Sequence, residues 1–195
     1  MNFTAYSPQI VIGACIVVLV VILIIAWGVK RQRDRRRTAG LRRRFGTEYD
    51  YALSHNRSRR HAEAELANRL RRVEGYRVHA LSPTERSRFM ADWDAIQTRF
   101  VDHPRGAVTE AEEMVNDILQ ARGYVAGNTE KRAADLSVNH PGMVDTYRRA
   151  NAINVRAAKN EASTEDLRTA LILYRALFEE LVGTTAISAP RAEAA

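Results

Sequence analysis

The chain has 195 residues, of which 46% are hydrophobic and 27% charged, a composition that excludes intrinsic disorder and collagen-like repeats. Its net charge is +7, but the basicity is local: residues 30–72 hold 15 Lys/Arg against 5 Asp/Glu, and residues 73–195 hold 15 against 18. A single cysteine excludes an internal disulfide framework and a multi-cysteine zinc site.

The first predicted element is the uncharged run Ile10 to Trp27, in which 13 of 18 residues are Ile, Val or Leu. With Gly28 and Val29 it reaches 20 residues. At about 1.5 Å rise per residue a helix of that length covers about 30 Å, the hydrocarbon thickness of a bilayer. A buried strand would be far shorter, so the length selects a helix. The expectation is one N-terminal transmembrane helix over residues 10–29, behind a short outer segment, 1–9. Tyr6 and Trp27 stand at its two ends as interface anchors. A cleaved secretory signal is disfavoured, because residues 2–9 carry no positive charge. Cys15 reads as a small apolar residue at lipid depth.

A polybasic juxtamembrane segment follows over 30–44, with Lys30, Arg31, Arg33, Arg35, Arg36, Arg37, Arg42, Arg43 and Arg44. Such an excess of Lys/Arg retains its side of a membrane in the cytoplasm, which predicts N-terminus out and the remainder in. The same cations suit anionic lipid headgroups. They also suit nucleic-acid phosphates, but aromatic interleaving is thin and no nucleic-acid-binding motif accompanies them. Gly40 and Gly46 are the expected breaks before the region 45–183.

That region is poor in glycine and proline, and its apolar residues recur at three- and four-residue intervals, so it reads as helices without strands. A helix near 57–75 places Ala62, Leu66, Leu70 and Val73 on one stripe, with Arg57, Arg59, Arg60, Arg69, Arg71 and Arg72 on a solvated face. Ser82-Pro83-Thr84-Glu85 combines an N-cap, a first-turn proline and a capping box, and opens a helix with Phe89, Trp93, Ile96 and Phe100. After a turn at 102–106, a partner helix carries Ala111, Met114, Val115, Ile118 and Leu119 and ends at Gly123. These two should form an antiparallel hairpin. A short helix near 129–137 has Asn128 as its cap. Asn139-His140-Pro141 restarts the chain into a helix with Val144, Tyr147, Ala150 and Ile153. The last helix opens at Ser163 and carries Leu167, Leu171, Tyr174, Leu177, Phe178 and Leu181. Residues 184–195 read as a flexible tail. Residues 45–80 stand either as a stalk or as part of the bundle.

Candidate chemistry is sparse. Glu110, Glu113 and Asp117 share a helix face, where a carboxylate stripe can bind a divalent cation, yet the Glu-x-x-His pairs of a di-iron bundle are missing. The wet face of an amphipathic helix accounts for the stripe more simply. His103 and His140 each precede proline, which fits chain-turning chemistry; an interhelical site joining them is the alternative. No phosphate-cradling glycine loop or nucleophile elbow is present. No catalytic, cofactor-binding or metal-ligating residue is nominated, and no cofactor is expected.

Several stretches look familiar together: Leu41-Arg42-Arg43-Arg44-Phe45-Gly46-Thr47-Glu48-Tyr49-Asp50, Leu81-Ser82-Pro83-Thr84-Glu85-Arg86, Arg99-Phe100-Val101-Asp102, Arg122-Gly123-Tyr124, Ala133-Ala134-Asp135-Leu136-Ser137-Val138 and Ala162-Ser163-Thr164-Glu165-Asp166-Leu167-Arg168. They resemble an uncharacterised family of bacterial proteins with an N-terminal membrane anchor. The resemblance covers most of residues 41–182 and implies a bacterial plasma membrane and a helical cytoplasmic domain, with no activity attached. The expectation is therefore an all-α, single-pass membrane protein whose cytoplasmic bundle is a non-enzymatic interaction or scaffold module. Its partners would be the bilayer, through anionic headgroups, and another protein. The alternatives are a membrane-tethered enzyme with an interhelical site and an adaptor that recruits nucleic acid through its basic segment.

Overall fold

The computed structural model describes the backbone of residues 8–183 and the side chains of residues 18–183. Among the described residues the structure is all helical: α1 (Pro8–Phe45), α2 (Thr47–His55), α3 (Arg59–Glu74), α4 (Pro83–Arg99), α5 (Pro104–Ala121), α6 (Thr129–Asn139), a 3-10 turn (Pro141–Met143), α7 (Val144–Ala158) and α8 (Thr164–Gly183). Two compact units result, Met1–Arg43 and Arg44–Ala195.

The first unit is α1 up to Arg43. Gly40 does not break it, and the turn comes at Gly46, whose φ of 52° lies in the left-handed region that glycine reaches without strain. Val18–Val29 is apolar on every side, and its large side chains are 46–62% exposed. The expected transmembrane helix over 10–29 is corrected here. Among the described residues no helix is long and apolar enough to cross a membrane. The apolar part of α1 with described side chains runs from Val18 to Val29 and then meets Lys30 and Arg31. Single-pass topology falls with the expected span. Tyr6 and the side chains of 10–17 lie outside the described residues.

The second unit is a helical bundle centred on α5. Its apolar positions Ala107, Val108, Ala111, Met114, Val115, Ile118 and Leu119 are all buried, on one stripe at helical spacing. They pack against α4, α7 and α8. The α4–α5 hairpin forms as the sequence suggests. Its start is fixed by Ser82, whose hydroxyl accepts from the Glu85 amide while the Glu85 carboxylate accepts from the Ser82 amide. Trp93 of α4 stacks on Phe178 of α8, with ring centroids 4.9 Å apart and planes at 16°. On α6, Asn128 caps the helix by accepting from the Lys131 amide at 2.9 Å.

Helices α2 and α3 belong to this unit, joined to α6 and α7 by charge. The Glu48 carboxylate of α2 accepts from Arg69 Nη1 of α3 and from Arg148 Nη1 of α7, both at 2.7 Å. Asp135 of α6 accepts from Arg72 Nε at 2.8 Å and from the Tyr76 hydroxyl at 2.9 Å. Burial therefore follows charge pairing as well as apolar periodicity. Arg69 is buried where the apolar stripe predicted Leu70, because its partner is buried too. Asn154 likewise takes the buried place predicted for Ile153, since its amide donates to Glu112 across the α5–α7 interface.

Candidate functional site

Most buried polar groups in the bundle have their hydrogen bonds satisfied within it. Arg148 donates to both oxygens of Glu48, Arg69 Nη1 shares Oε1 with it, and Arg148 also lies 3.9 Å from the centre of the Tyr51 ring. Glu112 accepts from Asn151 Nδ2 at 2.6 Å and from Asn154. A buried charge is tolerated on such terms, and these networks hold helices together.

A different arrangement sits where α5, α6 and α8 end. Arg122 caps the last turn of α5, its amide donating to the Ile118 carbonyl at 2.9 Å. The next residue, Gly123, has a φ of 91°. A Cβ there would sit 2.5 Å from the Arg77 carbonyl oxygen, so the close approach of the 77–79 backbone requires glycine. That approach is held by the His79 amide donating to the Arg122 carbonyl at 3.0 Å. The Arg122 side chain turns inward and is 0% exposed. Its Nη1 donates to the Leu181 carbonyl at the end of α8, at 2.7 Å. The partial negative charge of a helix C-terminus favours a cation there. Its Nε and Nη2 are buried with no hydrogen-bond partner.

His140, at the end of α6, is 4% exposed. Its Nδ1 lies 2.9 Å from Glu180 Oε1 of α8, which makes Nδ1 the donor to an ionised carboxylate. Its Nε2 is buried without a partner. Burial, and then the nearby Arg122 charge, holds the imidazole below its ordinary range, while the Glu180 hydrogen bond opposes them. Burial also lowers the affinity of Arg122 for its proton. Tyr124, raised by burial, closes the cluster and accepts from Asn139 Nδ2 at 2.8 Å.

Clefts open toward both ends of α5 in the bundle. One of about 100 Å³ is lined by Asn116, Gln120, Tyr124, Arg132 and Asp135. The other, about 360 Å³, lies where α5 and α8 begin, beside His103 and Arg105. The structure does not bring His103 and His140 together. His103 precedes the first residue of α5, and His140 is beside Arg122 at its far end. The 18 residues of α5 put about 27 Å between those ends. Glu110, Glu113 and Asp117 do share a face of α5, but Glu110 pairs with Arg99 Nε at 2.9 Å. Among the described residues no group of three or more His, Cys, Asp or Glu could hold a metal ion.

Of the nine basic residues nominated on α1, Lys30, Arg31, Arg33, Arg35, Arg36, Arg37, Arg42 and Arg43 are exposed and Arg44 is half-buried. Trp27 is 61% exposed, with the Arg31 guanidinium 5.1 Å from its ring centre. Sequence reasoning missed the Arg122 centre. Its local signal is an arginine one residue before a helix-terminating glycine, between Leu119 and Tyr124, and nothing local indicates Leu181 or Glu180. In comparisons with known proteins, no family model, curated protein or solved structure matches the chain.

Proposed function

We propose that the protein is a non-enzymatic interaction module held at an anionic lipid surface, with residues 18–44 meeting the lipid and the helical bundle available to a partner protein. One observation carries the reading: an apolar stretch exposed on all sides leads directly into a run of nine Lys/Arg, eight of them exposed, with Asp34 as the only acid among residues 30–44. Exposed apolar surface of this extent calls for a cover. Acyl chains supply one for Val18–Val29, and headgroup charge complements the cations that follow. Each Lys/Arg near an anionic surface contributes about 1 kcal/mol, falling off within a Debye length. The bundle supports the non-enzymatic part, because its buried acids, Glu48 and Asp135, are engaged in ion pairs between helices.

The test is co-sedimentation of the full chain with phosphatidylcholine vesicles, with and without phosphatidylglycerol. Binding should be stronger on the anionic vesicles and weaken as salt rises. Replacing Arg35, Arg36 and Arg37 together by Gln removes about 3 kcal/mol at that scale, or about a hundredfold in affinity. Equal binding to both vesicle types, or an unchanged affinity in the triple variant, overturns the lipid reading. Tighter, salt-sensitive binding to a nucleic-acid duplex than to the vesicles would favour the adaptor alternative instead.

A further inference from the structure

The arginines of the bundle supply an internal standard for what a guanidinium does here. Arg69, Arg72 and Arg99 each turn the Nε/Nη2 edge onto a carboxylate, that of Glu65, Asp135 and Glu110 respectively. That edge offers two parallel N–H groups, the fork that matches a carboxylate or phosphate. Arg122 keeps the same edge free. Only its Nη1 is engaged, on a neutral carbonyl, while Nε and Nη2 are fully buried and unpartnered. Leaving charged donors unpaired away from water is costly. A third buried polar atom without a partner, His140 Nε2, lies close by, because Arg122 sits on the Leu181 carbonyl and His140 on the carboxylate of Glu180, adjacent residues of α8.

We propose that Arg122 and His140 form an oxyanion site, in which the free guanidinium edge takes two oxygens of a small phosphate or carboxylate group and the imidazole Nε2 makes the third contact. Glu180, whose side chain is 44% exposed while that of His140 is 1% exposed, marks the approach from solvent. The protonation states follow from the hydrogen bonds. With Nδ1 donating to Glu180, neutral His140 presents Nε2 as an acceptor. A phosphate that retains one P–OH satisfies the whole site: two oxygens accept from Arg122 and the hydroxyl donates to Nε2. A carboxylate has no proton to donate, so it binds only if His140 takes one up and Nε2 becomes a donor. The Arg122 and Glu180 charges both act on that proton, one against it and one for it. The two ligand classes therefore differ in pH dependence: carboxylate affinity rises as pH falls toward the depressed range in which His140 takes up its proton, and phosphate affinity does not require that proton.

The experiment titrates the full chain with inorganic phosphate, with acetate, and with chloride at matched ionic strength. NMR of the Arg122 Nε–H and of the His140 ring reports the site, and the melting temperature reports stabilisation. The expected result is a saturable downfield shift of the Arg122 Nε–H with phosphate or acetate and not with chloride, with a raised melting temperature. Arg122→Lys, which keeps the charge and loses the fork, should weaken binding about tenfold or more. Should that variant fail to fold, the wild-type resonance still decides. An Nε–H that does not move with any anion, or that moves equally with chloride, overturns the site. So does a persistent cross-peak from the Nε–H to a trapped water that phosphate and acetate fail to displace. Acetate binding equal at pH 8 and pH 5.5 would refute the coupling to His140.

Discussion

Glu48 accepts from two arginines on two different helices while being 3% exposed, so removing its charge takes the carboxylate from Arg148 and leaves Arg69 with Glu65 alone. Breaking one member of a buried ion pair costs about 3–5 kcal/mol. Glu48→Gln should therefore lower the unfolding free energy by about that amount in urea denaturation. Glu179→Ala, which removes an exposed partner of Arg175, should change it by less than about 1 kcal/mol. His140 gives a pH signature of its own. Its folded-state affinity for protons is depressed by burial and by Arg122. The neutral form is thus favoured by folding, and the stability this contributes is complete above the unfolded value of about 6.5 and is lost as pH falls from there toward the lower folded value. Melting temperatures between pH 8 and pH 5 should fall in the wild type and fall less in His140→Gln. Equal slopes in the two would show that the histidine does not couple to folding.

At the scale of elements, local chemistry decides where helices begin and end. Ser82 and Ser163 each form a reciprocal pair with the acid three residues on, Glu85 and Asp166. The bonds from Ser163, then the Arg156 guanidinium, lower Asp166 to about 2. That cap is intact above the ordinary Asp range and is lost as pH falls through about 2. Ser82→Ala should cost about 1 kcal/mol, as N-cap serines do. Gly123→Ala should cost about 1–3 kcal/mol, because its backbone is left-handed and a Cβ would strike the Arg77 carbonyl. Both are read from urea midpoints. These features were legible in the sequence, since the capping box is a four-residue pattern and the α5 stripe a helical repeat. Gly46 and Gly123 were legible as breaks, although Gly40 sits inside α1 without ending it. The ion pairs were not legible. Glu48 and Arg148 lie 100 residues apart in sequence, and no local period encodes such a partner. This is why Arg69 reads as surface charge from its neighbours and turns out buried.

For the whole molecule, the helical class and the hairpin at its centre follow from periodicity, whereas the span across a membrane does not stand. Total length was the whole argument for that span, and among the described residues no helix is long and apolar enough to cross a membrane. The site at Arg122 was illegible for the same reason as the ion pairs: three helix ends from distant parts of the chain build it. Two indoles lie one in each unit, Trp27 standing 61% open on α1 and Trp93 4% open against Phe178. The protein is thereby self-labelled for fluorescence. Trp93 should emit in the blue and redden only when the bundle melts, and Trp27 should emit in the red and shift blue when α1 leaves water. Exciting Trp93→Phe in the presence of vesicles would isolate the second signal, so that attachment and unfolding can be followed separately in one cuvette, with no dye added.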